Sequence, residues 1–192
     1  GYPKYADLNE DGIIDSNDQT FIGRGEPKHV GGFTNNFEYA GFDLSIFFQW
    51  SYGADVLNAN KLMFETGYNR RRDLNQFASF AGRWTPTNTD SDIPRVSASP
   101  SNNLFSTRLI EDGSYLRLKT LSLGYSLPKN VLDKLKLKKA RIYVSGQNLF
   151  TWTSYSGYDP EVSIRNSALT PGLDFSSYPR AKSVNLGVNV NF

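Results

Sequence analysis

Residues 183–192 read Ser-Val-Asn-Leu-Gly-Val-Asn-Val-Asn-Phe, and no other stretch restricts the fold of this chain as tightly. Side chains alternate along an extended strand. Val184, Leu186, Val188, Val190 and Phe192 therefore share one face, while Asn185, Gly187, Asn189 and Asn191 share the other. A strand in a soluble sandwich usually carries charge on its non-core face. Amides and glycine instead suit a strand with lipid on one side and a wet lumen on the other, and about ten residues is the length a tilted strand needs to cross a bilayer.

Composition bears on that reading in three places. The chain is 39% hydrophobic with a mean hydropathy of −0.47, and no run approaches the roughly 18 apolar residues of a membrane-spanning helix. A helical membrane protein is excluded, but a β-barrel is not, because its strands are only half apolar. The 14% aromatic content suits interfacial girdles or a ligand surface of stacking rings. Cysteine is absent, and a net charge of +2 gives no reason to expect nucleic-acid binding.

Alternation recurs along the chain. Strands are expected over residues 30–39 (Phe33, Phe37 and Tyr39 on one face, interrupted by Asn35) and 43–52 (Leu44, Ile46, Phe48 and Trp50), joined as a tight hairpin at Ala40-Gly41. Phe47 breaks the polar face and fills the lumen side. A third strand is expected over 115–127, where Leu121, Leu123, Tyr125 and Leu127 oppose Thr120, Ser122, Gly124 and Ser126. Its phase flips upstream, at Leu116 and Leu118 against Arg117 and Lys119, which calls for a bulge. Residues 129–137 suit a short amphipathic helix after Pro128, and residues 141–149 and 183–192 supply the last two strands. Residues 54–64 suit a short helix, and Asp112-Gly113 suits a local hairpin into the strand at Tyr115.

The connections alternate short (40–42), long (53–114), short (128–140) and long (150–182), as in barrels with short periplasmic turns and long extracellular loops. Five strands cannot close a barrel, which needs about eight. The expected fold class is therefore all-β: an antiparallel transmembrane β-barrel portion of about five C-terminal strands, with extracellular loops at 53–114 and 150–182 and a further extracellular loop at 1–29. Gly1-Tyr2-Pro3-Lys4 lacks the apolar run of a signal peptide, so a processed chain or a piece of something longer is expected.

The loop at 1–29 contains Asp7-Leu8-Asn9-Glu10-Asp11-Gly12-Ile13-Ile14-Asp15-Ser16-Asn17-Asp18. Counted from Asp7, oxygen side chains fall at loop positions 1, 3, 5, 9 and 12 and glycine at 6, the EF-hand calcium pattern with Asp18 in place of the final Glu. The candidate metal ligands are Asp7, Asn9, Asp11, the carbonyl of Ile13, Asp15 and Asp18, and calcium is the cation that such hard oxygens suit. An acidic loop of Asx-turns without metal is the alternative. The Arg70-Arg71-Arg72 run reads mainly as a solvated loop.

In order and number, several motifs resemble the C-terminal part of SusC/RagA-type TonB-dependent outer-membrane transporters. They are the Asp7–Gly12 loop, Gly32-Phe33-Thr34-Asn35-Asn36-Phe37 leading to residues 42–49, Arg83-Trp84-Thr85, Glu111-Asp112-Gly113-Ser114-Tyr115-Leu116-Arg117-Leu118-Lys119, Leu123-Gly124-Tyr125-Ser126-Leu127-Pro128, Ser145-Gly146-Gln147-Asn148-Leu149-Phe150, Gly157-Tyr158-Asp159-Pro160-Glu161 and the terminal Phe192. The resemblance implies a barrel of about twenty-two strands with an N-terminal plug. It implies a SusD-like surface lipoprotein as lid, energy from TonB through a plug region that this chain lacks, and import of glycans or peptides across the outer membrane of a Gram-negative bacterium. It also implies that the last strand and Phe192 are read by the barrel-assembly machinery.

Candidate ligand-binding residues are Trp84, Trp152, Tyr155, Tyr158 and Asp159, since rings stack on sugars or peptide side chains and carboxylates bond their polar groups. Each also reads as loop packing or interfacial girdle. A secreted calcium-dependent carbohydrate-binding or adhesion module is the alternative function, and it would have to bury the apolar strand faces within 192 residues. No enzyme is expected: His29 is the only histidine and nothing around it resembles a nucleophile elbow.

Overall fold

The structure, a computed structural model, describes residues 1–65, 74–96, 105–163 and 170–192. The Arg70–Arg72 run lies outside them. Five long strands form one antiparallel sheet: β1 (His29–Tyr39), β2 (Phe42–Tyr52), β5 (Tyr115–Ser126), β6 (Lys139–Thr153) and β8 (Ser183–Asn191), in the spatial order β1-β2-β5-β6-β8. Each strand pairs with the one preceding it among these five, and both outer edges of the sheet are open.

Sequence dictates the short ends. Ala40 and Gly41, at φ 49° and 87°, make the two-residue left-handed turn whose twist matches that of the flanking strands. Gly41 accepts a hydrogen bond from the Ser126 N–H at 2.8 Å. The β5–β6 connection is helix α2 (Lys129–Leu135), which ends on Lys136 in the left-handed conformation, with the Leu137 N–H on the Leu132 carbonyl.

Register places side chains of like character opposite one another. Across the sheet lie Phe37, Leu44, Leu123, Val144 and Leu186, then Tyr39, Phe42, Tyr125, Ile142 and Val188, so the apolar residues of all five strands share one face. The phase flip in β5 is a bulge: Leu118 pairs with Phe48 and Thr120 with the adjacent Phe47, which leaves Lys119 as the extra residue and keeps Leu116 and Leu118 on the apolar face. On the other face Phe47 pairs with Thr34 and Thr120, and its ring packs under Gly32.

Three features depart from the sequence expectations. First, β6 runs to Thr153 rather than residue 149, because Asn148, at φ 52°, absorbs the phase break and lets Phe150 and Trp152 continue opposite Leu118 and Leu116. Second, residues 54–64 are not one helix: β3 (Asp55–Asn58) precedes α1 (Ala59–Phe64). Third, Asp112-Gly113 does not form a hairpin into β5. Instead β4 (Ile110–Asp112) pairs antiparallel with β3, which also pairs in parallel with β7 (Leu173–Asp174), giving a second, three-stranded sheet. That sheet joins the two long loops, and beneath it Val56, Tyr155 and Val162 form a small core with Leu109 buried nearby.

The N-terminal segment is tied to the same body. The Arg24 N–H donates to Asp55 Oδ2 and the Asp55 N–H to the Arg24 carbonyl, both at 2.7 Å. Among the described residues no helix is long and apolar enough to cross a membrane.

Candidate functional site

The second long loop folds onto one buried cation of β5. Arg117 stands on the polar face of β5 and is 1% exposed, so its charge needs partners within the protein. It donates to Asp159 Oδ1 at 2.5 Å and lies 3.3 Å from Glu161 Oε2, with its guanidinium over the Tyr115 ring. The Arg180 and Glu161 N–H groups donate to Asp159 at 3.0 and 2.9 Å, and Lys119 and Arg180 complete the set around Glu161. Burial pushes the Asp159 carboxyl up, but the Arg117 hydrogen bond and the two N–H donors outweigh it and hold the group below its ordinary value.

A second tie lies one strand-end away. Glu111 accepts from the Ser156 N–H (2.8 Å), the Ser156 hydroxyl (2.9 Å) and Asn58 Nδ2 (2.9 Å), and pairs with Lys61 at 2.8 Å. Burial opposes its ionisation, yet Lys61, Ser156 and Asn58 together lower its pKa. The Tyr155 hydroxyl donates to Asp174 Oδ2 at 2.5 Å, and burial followed by that carboxylate pushes its pKa upward.

The ligand candidates do not share one surface. Tyr155 and Asp159 are each 5% exposed, and their polar atoms are engaged inside the chain, which makes them struts of the loop framework. Trp152 projects from the apolar face beside Phe48 and Phe150, with ring centroids 6.4 and 6.1 Å away. Trp84 is half-buried in the first long loop, its ring packed against Gly1 and its backbone N–H on the Ile93 carbonyl. Tyr158, 86% exposed, is the most exposed of the candidates. Phe192 is exposed at the end of β8. The sequence reading missed Arg117, although an arginine in phase with the polar side of a strand already demanded a carboxylate.

Around Asp7–Asp18 the loop closes on itself. Asp7 Oδ2 accepts the Gly12 N–H at 2.7 Å, Asp11 accepts the Ile13 N–H, and Asp18 accepts the Leu8 and Asp15 N–H groups, which hold its carboxyl below the ordinary value. Gly12, at φ 80°, makes the turn. Among the described residues no group of three or more His, Cys, Asp or Glu is placed to hold a metal ion. The donors are nonetheless all hard oxygens, and Asp7 Oδ1 is a buried atom without a hydrogen-bond partner.

No protein-family model matches the chain. Among known proteins it is 40% identical over 98% of its length to TonB-dependent receptor P3 of Formosa agariphila and 37% identical over its whole length to TonB-dependent receptor P26 of the same organism. It is 27% identical over 98% of its length to TonB-dependent receptor SusC of Bacteroides thetaiotaomicron. It covers 19%, 20% and 17% of those proteins, about a fifth of their length. The solved structure of the RagAB peptide transporter superposes with a TM-score of 0.80 at 28% identity, over 94% of this chain and 19% of that one. The open-open state of the RagAB peptide importer gives 0.73 at 30% identity, over 86% and 17%. These relatives are receptors and transport proteins rather than enzymes. Over nearly its whole length, then, the chain matches one part of TonB-dependent receptors, SusC among them, in sequence, and one part of the RagAB transporter in fold.

Proposed function

We propose that the five-stranded sheet is the C-terminal part of the wall of an outer-membrane β-barrel importer, with the two long loops and the Asp7–Asp18 loop on the extracellular side. One observation carries the reading: the apolar face is continuous over all five strands and bounded by aromatic residues at both ends. Phe33, Phe48, Trp50, Phe150 and Trp152 lie toward the long loops, and Tyr39, Phe42 and Tyr125 toward the short turns. Phe42 and Trp50 are separated by eight residue steps, about 27 Å along the strand and roughly 20 Å once tilted, comparable to the apolar band of outer-membrane barrels.

In this reading a substrate, glycan or peptide, is caught at the outer face under a SusD-like lipoprotein and admitted by a TonB-coupled plug supplied by the rest of the protein. Arg117, Glu111 and the small sheet hold the extracellular loops in shape. Phe192 marks the strand for the assembly machinery. Calcium would be held by Asp7, Asn9, Asp11, the Ile13 carbonyl, Asp15 and Asp18, and would stiffen the rim. A soluble adhesion module would have to cover the apolar face, and among the described residues nothing lies over it.

Single cysteines at 185, 186, 188 and 189 in the longer protein that carries this chain test the reading. In intact outer membranes a water-soluble maleimide should label positions 185 and 189 and spare 186 and 188. Equal labelling at all four would remove the barrel-wall assignment.

A further inference from the structure

At the extracellular end of the apolar face the sheet carries a ledge that the import reading does not use. His29, Trp50, Tyr52, Leu116 and Trp152 line an open pocket of about 390 Å³ together with Asp112, Ser114 and Ser154. Register puts His29 opposite Tyr52, and Leu116 opposite both Trp50 and Trp152, so the rings and Leu116 belong to the apolar side of the sheet. The rings are fixed in place: Trp50 Nε1 donates to His29 Nδ1 at 3.1 Å, and the His29 and Tyr52 rings stack at 5.1 Å. Tyr52 and Trp152 remain about half exposed.

Charge selects the occupant. No lysine or arginine lines the pocket, so a bare phosphate finds no counter-charge there. Its one carboxylate is Asp112, at the β4 end. Ser114 donors hold that group ionised, its pKa below the ordinary value against a smaller opposing effect of burial. Aromatic faces beside a carboxylate are the arrangement that recognises an ammonium group, through the ring quadrupoles and the opposite charge. Below the pocket the apolar surface continues without a break through Leu116, Leu118, Phe48 and Phe150, where an alkyl chain can lie.

We propose that this ledge binds a membrane amphiphile with an ammonium head group, its head among Trp50, Tyr52, Trp152 and Asp112 and its chain along the apolar face. The proposal rests on the barrel-wall reading of that face.

The test uses the full transporter in nanodiscs containing either phosphatidylethanolamine, phosphatidylglycerol or a glucosyl diacylglycerol, each with the same photo-crosslinkable acyl chains. Crosslinked lipid is mapped by mass spectrometry. Phosphatidylethanolamine should label the 116–118 and 150–152 segments about fivefold more than either other lipid, the preference expected of one cation–π contact near a carboxylate. Asp112→Asn, which keeps the acceptor for Ser114 and removes the charge, and Trp152→Leu, which keeps an apolar side chain and removes the ring, should each abolish the preference while labelling at Leu123 and Val188 persists. Equal labelling by the three lipids, a preference for the sugar lipid, or a preference unchanged in both variants overturns the head-group site. Absence of lipid labelling at Leu123 and Val188 overturns the barrel wall itself.

Discussion

Arg141 on β6 reaches across β5 to grip both carboxylate oxygens of Asp43 on β2, with Nε 2.8 Å from Oδ1 and Nη2 on Oδ2. The strand between them contributes Gly124 at the crossing point, where any Cβ would overlap the guanidinium. The Arg141 guanidinium also lies over the Tyr143 ring, and that ring covers Gly187 of β8. One polar chain thus crosses from β2 to β8 on the face opposite the apolar one. Planar, bidentate geometry is what arginine supplies and lysine does not.

Arg141→Lys should therefore lower the unfolding temperature of the assembled transporter nearly as far as Arg141→Ala does, and Asp43→Asn should do the same. The double variant Asp43→Asn/Arg141→Ala should be no worse than the poorer single one. Heat-modifiability on gels reads all four, and strictly additive losses would show that the pair is not a unit.

Arg117 makes a stronger demand because it is buried. Replacing it with Met leaves Asp159 and Glu161 facing each other without their shared cation, a loss of about 3 kcal/mol by analogy with other broken buried pairs. The loss should be local. Limited proteolysis should open the 155–180 segment while the barrel strands stay resistant. Wild-type cleavage rates in Arg117→Met would show that the ion pairs do not hold the loop.

That cluster and the Glu111 tie together set a pH dependence. Asp159 and Glu111 both have folded pKa values below their ordinary ones, so their contribution to stability is fully present above the unfolded values of about 4 and is lost as pH falls through the lower folded values. Hydrogen exchange in residues 155–163 should be level from pH 7 to about 5 once intrinsic rates are divided out, and should rise below about 4. Asp159→Asn should remove the part of that rise due to protonation of Asp159. A rise beginning near pH 6 would point to a different group.

For the Asp7–Asp18 loop the expectation is weak calcium binding, in the range of about 10⁻⁴ to 10⁻³ M found for extracellular modules. Calcium should slow cleavage of residues 7–18 in the intact transporter, chelator should restore it, and Asp7→Ala should abolish the protection. Magnesium at the same concentration should do little. Identical digestion with calcium and with chelator would leave the loop an Asx-turn structure without metal.

The strands were legible in the sequence because a two-residue period runs through them, unbroken in β8 and interrupted at single residues such as Asn35 and Phe47 elsewhere, and even the β5 bulge showed itself as a phase flip at Leu118–Thr120. β6 was read short because Asn148 and Leu149 break that period, and a left-handed residue inside a strand leaves no sign in composition. Asp112-Gly113 was misread as a hairpin because turn chemistry is local, whereas β4 takes its partner from β3, more than fifty residues earlier in the chain. The fate of Tyr155 and Asp159 was hidden for the same reason. Whether a loop aromatic or acid faces solvent depends on Asp174 and Arg117, distant in sequence and adjacent only once folded.

Alternation along β8 yields the most direct prediction. Val184 and Asn185 are neighbours on one strand, paired with Gly146 and Ser145 respectively, and Val184 stands in the row of Ile46 and Leu121, midway between the aromatic ends of the apolar face. Both face away from any core within this chain, so a soluble sheet would accept arginine at either with little difference. If the apolar face meets lipid, Val184→Arg should cost about 2–4 kcal/mol, as it lies near the bilayer midplane, and Asn185→Arg, on the lumen side, close to nothing. Denaturant unfolding of the assembled transporter in lipid measures that difference, and a spread below the scatter of ordinary surface substitutions, about 0.5 kcal/mol, would mean that water lies on both sides of the strand.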